Sequence, residues 1–237
     1  MQENTIHIKE KIGRIKLADR KLPDYTKGEE IFNMVSHIVG GGISIIMFAL
    51  CLVMAIKHHN VWGIISGSIY GFFIILLYTM SSIYHGLKMG STAKKVFQIL
   101  DHCAVYLLIV GTYTPILLTK LREEYPILSL CVFIGLYALM AIAITLTAID
   151  LRKYRVFSMI VYIATGWLSL LAVPQIIKCY SIGFLVLLVC GGIVYTLGAI
   201  LYGLGSKGNH RYFHSVFHLF VIAGSVLHGI AIILYCM

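Results

Sequence analysis

Seven apolar runs, uncharged but for Asp101 at the start of the third, divide the chain from about residue 31 to its end: approximately Ile31–Ile56, Val61–Tyr84, Ile99–Thr119, Ile127–Ile149, Val156–Val173, Ile182–Leu204 and Phe213–Cys236. Each is close to the roughly 20 residues that a helix needs to cross a bilayer. The alternation of period two that marks a membrane barrel strand is absent, so helices must satisfy the backbone inside the lipid. The pattern predicts an all-α integral membrane protein, a seven-transmembrane helix bundle.

Charge agrees with this and adds an orientation. Only 12% of the chain is charged while 59% is hydrophobic, against about a quarter charged in soluble domains. Residues 1–28 read as a basic, cytosolic N-terminal tail without the apolar core of a cleavable signal, and residues 29–237 as one membrane domain. With the N-terminus cytosolic, fifteen of the 19 Lys and Arg fall on the inner side, among them Lys88, Lys94, Lys95, Arg152, Lys153 and Arg155. The outer segments hold only Lys57, Lys120, Arg122 and Lys178. The positive-inside bias therefore places the N-terminus inside and the C-terminus outside, in a multi-pass cell-membrane protein. Cysteine-accessibility mapping is expected to find the two termini on opposite faces; both on one face would sink this topology.

The net charge of +9 then reflects topology and contact with anionic lipid headgroups rather than nucleic acid. The six cysteines include no C-x-x-C pair and imply neither a disulfide framework nor a thiolate metal site. Gly63, Gly67 and Gly71 form a small-residue stripe on the second span, with further close approaches expected at Gly40–Gly42 and Gly191–Gly192. Pro115 is expected to kink the third span or end one of its hydrogen-bond runs. Nothing in the pattern fixes an oligomeric state.

Polar groups within the spans carry the chemistry, because ionisable residues in lipid are costly and face the bundle interior. Ser81 and His85 close the second span, Asp101 opens the third, and His214 and His218 occupy the first two turns of the seventh. Alternating spans bring all five to one membrane depth. Residues four apart share a helix face about 6 Å apart along the axis, so His214 and His218 can hold one ion, and Ser81 lies one turn from His85. Three neutral imidazoles with an open position form the usual catalytic zinc arrangement, in which Asp101 would act on the water. A proton relay fits the same cluster. His37 and His228 read as interior hydrogen-bonding groups. His7, His58, His59 and His210 read as solvated, and His102 as turned about 100° from Asp101 and outside the site.

These residues fall in four stretches: EEIFNMVSHIVG (Glu29 to Gly40), SSIYHG (Ser81 to Gly86), DHCAVYLLIVGTYTP (Asp101 to Pro115) and HSVFHLFVIAGSVLH (His214 to His228). In this order and on these spans they resemble the hemolysin III family, the bacterial branch of the progestin and adiponectin receptor (PAQR) superfamily, related to alkaline ceramidases. The resemblance runs from Gly28 onward. It implies that His85, His214 and His218 bind zinc near the cytosolic face, with Asp101 and Ser81 beside the metal's water. It also implies a polar lock formed by Glu30, Asn33 and His37. Three functions follow as expectations: a zinc-dependent hydrolase of lipid amides or esters, a sensor of membrane lipid state with a fatty-acyl ligand, or a cytolysin as the family name suggests. Seven built-in spans suit a resident membrane protein better than a released toxin.

Overall fold

The computed structural model describes residue 17 and residues 19–205 and 211–237. Most of the predicted tail, with His7, and the inner-loop residues Lys207 and His210 lie outside the described residues. Every regular element among the described residues is helical: α1 (Lys27–Lys57), α2 (Val61–Gly86), α3 (Thr92–Leu118), α4 (Lys120–Glu124), α5 (Pro126–Ile149), α6 (Arg155–Gly166), a 3₁₀ segment (Leu168–Ala172), α7 (Val173–Cys179), α8 (Ile182–Gly205) and α9 (Phe213–Tyr235). Taking α6 through α7 as one, seven of these spans are long and apolar enough to cross a membrane.

Caps decide where the helices begin. The Thr26 side chain accepts from the Glu29 N–H, while the Glu29 carboxylate accepts from the Thr26 N–H at 2.8 Å, a reciprocal capping box. Asn60 starts α2 by accepting from the Gly63 N–H, and Ser91 starts α3 by accepting from the Lys94 N–H. The Ser91 cap corrects the expected onset of the third span. The helix runs through the polar stretch from Thr92, so Asp101 sits in its third turn rather than at its mouth. Lys94, counted above as an inner-loop cation, is a helical residue and is almost wholly buried.

The bundle turns apolar side chains outward as well as inward, and keeps polar ones inside. Ile46, Val53 and Ile134 face outward, while Asn33, Ser44 and Ser81 are buried. This is the sorting expected when hydrocarbon replaces water as the solvent. α1 packs against α2 and α9, α8 against α9, and α3 touches α2, α5, α6 and α9. α3 is accordingly the most buried span. Glycine contacts are selective. A Cβ at Gly71 would collide with Phe48, and one at Gly40 would stand 2.7 Å from Tyr78, whereas Gly42 faces open space.

The fifth span is not the single helix expected over Val156–Val173. It breaks after Gly166, passes through the 3₁₀ segment and resumes as α7, extending to Cys179. Pro174 near the start of α7 cannot donate to the preceding turn, which accounts for the restart. Tyr113 of α3 stabilises the break: its hydroxyl donates to the Thr165 and Gly166 carbonyls at 2.9 and 3.3 Å and accepts from the Ser169 N–H at 3.0 Å. Pro115 lies one turn before the end of α3, where the Thr119 N–H and hydroxyl both donate to its carbonyl. At the opposite end of the bundle from Thr26, Asn60 and His58 donate to the Cys236 and Met237 carbonyls at 3.0 and 3.1 Å. The C-terminus is thereby tied to the α1–α2 turn.

Candidate metal centre

At the end of the bundle where α1, α3 and α9 begin, one histidine of α2 meets two of α9. His85 Nε2 lies 3.3 Å from His214 Nε2, which lies 3.1 Å from His218 Nε2. The ligand-capable atoms of all three lie within 4.8 Å of one another, and among the described residues they form a group that can hold a metal ion. The helical repeat sets the second contact, since His214 and His218 are one turn apart. The first depends on α2 and α9 both reaching the same neighbour, α1.

The spacing fits a cation better than hydrogen bonds alone. Nitrogens bound at about 2.0–2.1 Å to a tetrahedral ion stand about 3.3–3.4 Å apart, close to the distances found. A neutral imidazole carries one hydrogen. In its absence from His85 Nε2, one hydrogen would have to serve both contacts of His214 Nε2. That condition is met: His85 Nδ1 stands 2.7 Å from Glu30 Oε2, and a carboxylate can only accept, so the hydrogen of His85 sits on Nδ1.

Other sequence-predicted residues take their places around this centre. Ser81 is buried one turn before His85, and its hydroxyl has no partner among the described residues. Asp101, Ser81, His214 and His218 line a common cavity. The Asp101 carboxylate lies 3.9 Å from His102 Nδ1. Two expectations need correction. His102 does line the cavity, because it faces α8, with Nε2 3.4 Å from the Tyr202 hydroxyl and Nδ1 donating to the Gln98 carbonyl. Among the described residues His37 makes no hydrogen bond through either ring nitrogen; it stacks on His218 with centroids 3.7 Å apart and meets Tyr78 edge-on. His228 does act as an interior hydrogen-bonding group, with Nε2 donating to the Leu188 carbonyl.

Two features escaped the sequence reading. Lys94 Nζ lies 3.1 Å from Glu30 Oε1 and donates to the carbonyls of Tyr84, His85 and Leu87 at the end of α2. A lysine three residues after a helix-capping serine gives no hint of this. The segment before α1 also folds over the centre. The Tyr25 ring stacks on His214, with centroids 5.0 Å apart and planes 14° apart. Burial pushes the Tyr25 phenol well above its ordinary pKa, so it remains protonated. Arg211 holds the segment by donating to the Asp24 carbonyl at 2.8 Å, and Glu29 accepts from the Tyr212 N–H at 2.7 Å.

Away from the centre the cavity becomes largely apolar. Its wall on α3 runs from Asp101 to Ile116 and continues over Leu188, Val221 and His228. At 1.5 Å per residue that wall is about 22 Å long.

Comparison with known proteins matches the chain along most of its length. The sequence model described as "Haemolysin-III related" matches residues 25–229. Among curated proteins, the chain is 32% identical over 213 residues to the "Hemolysin-3 homolog" of Bacillus subtilis (strain 168), covering 90% of this chain and 97% of the relative. It is 32% identical over 209 residues to "Hemolysin-3" of Bacillus cereus, covering 88% and 92%. Over 176 residues it is 29% identical to the human "Monocyte to macrophage differentiation factor", covering 72% and 70%. The resemblance carried by the four sequence stretches is thus matched along most of the chain: this is a multi-pass membrane protein that belongs to the hemolysin III family.

Proposed function

We propose that this protein is a zinc-dependent intramembrane hydrolase of a lipid amide or ester, working near the cytosolic face. The observation that carries the reading is a group of three imidazoles, two of which, His214 and His218, line one cavity with the carboxylate of Asp101 and the hydroxyl of Ser81. His85, His214 and His218 would hold the ion, the three-histidine set of a catalytic zinc site with one position open. Zinc, when bound, supplies Lewis acidity toward water and a carbonyl oxygen. Asp101 accepts the proton of the attacking water, and the Ser81 hydroxyl donates to the oxygen that becomes negative. The buried setting strengthens both interactions, since little solvent competes for them.

The apolar cavity supports a lipid substrate. An acyl chain spans one leaflet, about half of the roughly 30 Å hydrocarbon core, and the cavity wall exceeds that length. The same cavity favours a second reading, a sensor in which the metal is structural and a fatty-acyl chain is the ligand. Anionic headgroups remain the proposed contact of the basic tail. A cytolysin is the weakest reading of a chain so fully embedded.

The test is a panel of fluorescent ceramide-like amides and lysolipid esters offered to zinc-loaded protein in detergent, with co-purified lipid identified by mass spectrometry. Turnover of one class is expected. If the protein cleaves nothing yet binds fatty acid tightly, the sensor reading replaces the hydrolase.

A further inference from the structure

We propose that Glu30 and Lys94 act as a positioning pair for His85, so that an ion pair between α1 and α3 governs how tightly the metal is held. This rests on the reading that His85, His214 and His218 hold zinc. Glu30 reaches His85 from the side away from the centre: Oε2 is 2.7 Å from Nδ1, while Nε2 faces His214. Such a contact does two things at once. It places the imidazole hydrogen on Nδ1, leaving the Nε2 lone pair for the ion, and it fixes the plane of the ring. Among the described residues, His85 is the one member of the three whose Nδ1 meets a carboxylate.

The second carboxylate oxygen decides whether Glu30 can hold that position. Oε1 has no hydrogen-bond partner but lies 3.1 Å from Lys94 Nζ. Lys94 is itself immobilised, with its side chain 1% exposed, its ammonium donating to three carbonyls that close α2, and its charge 4.8 Å from the centre of the Tyr84 ring. A cation at a helix C-terminus is favoured by the helix dipole, so Lys94 is held by the same helix end that carries His85. Glu30 is thus pinned between the ligand and a fixed cation, and α1, α2 and α3 meet at the ion pair. Removing Lys94 would leave the buried Oε1 without its cation and the carboxylate free to leave the imidazole.

The experiment compares wild type, Glu30→Gln, Lys94→Met and the double variant as purified full-length protein. Zinc affinity is measured by competition with a chromogenic chelator, and thermal unfolding of the metal-free proteins is followed in parallel. Glu30→Gln is expected to weaken zinc binding by about 10- to 100-fold, the usual effect of removing a histidine's outer partner. Lys94→Met should weaken it through the same contact, so the double variant should bind about as well as Glu30→Gln alone. Lys94→Arg, which retains the charge, should recover part of the affinity. Equal titrations for wild type and Glu30→Gln, or losses that simply add in the double variant, would overturn the positioning pair while leaving the metal reading intact. A wild type that binds no zinc would overturn both. If Lys94→Met does not fold, the comparison of Glu30→Gln with wild type decides the matter alone.

Discussion

Protein carrying His218→Ala or His214→Ala is expected to purify with almost no bound metal. Structural zinc sites in zinc-finger peptides, which set the scale, release about 10–16 kcal/mol on binding. Shared among three protein ligands, that is roughly 3–5 kcal/mol each, so the loss of one should lower affinity by more than about 10²-fold. The two variants should differ in one respect. His218 also stacks on His37, so its loss opens packing between α9 and α1, whereas His214 stacks on Tyr25 in the segment before α1. His218→Ala should therefore also unfold at lower temperature in detergent than His214→Ala. His228→Ala, ten residues along α9 and bonded to the Leu188 carbonyl, should retain its metal. Elemental analysis of the purified variants is the measurement. Full occupancy after losing either residue would show that the ligands are others.

Asp101→Asn is expected to keep metal and fold while losing turnover by about 10²- to 10⁴-fold, the usual effect of removing a general base. Asparagine nearly matches aspartate in shape and can still hydrogen-bond water, but it cannot take up a proton. The carboxylate lines the same cavity as His214, His218 and Ser81, and it lies in a span where an idle charge would be costly. Zinc content and hydrolysis are measured on the same preparation. Unchanged turnover would remove Asp101 from the chemistry. Loss of zinc together with turnover would make it a structural support of the centre.

Much of the architecture was legible because a bilayer imposes a length and a composition on each span. The ends were less so. Apolar runs mark hydrocarbon, whereas helices begin at caps, and Ser91 starts α3 well before its apolar run. The fifth span reads as continuous because apolar residues dominate both sides of Gly166. The break depends on Pro174 and on a tyrosine from another helix. The pairing of His214 with His218 follows from helical periodicity alone. That His85 joins them could be reasoned from depth, since odd and even spans alternate in direction. The contacts of Glu30, Lys94 and Tyr25 could not, because depth orders residues along the membrane normal and says nothing of which neighbours share a side.

The centre draws its nitrogens from the second and the last spans, and the C-terminal carbonyls close on the turn between the first two. The three histidines can therefore meet only after α9 has been made. At roughly 5–20 residues per second, synthesis from Gly86 to Phe213 takes roughly 6–25 s. Through that interval His85 waits with Glu30 but without its two partners, and Asn33, His37 and Ser81 wait beside the gap that α9 will fill. A nascent chain stalled before α9 would present these polar groups to lipid or to the insertion machinery. Arrival of α9 brings His214 and His218 to His85, so the group that can hold an ion is assembled only once that helix is in place.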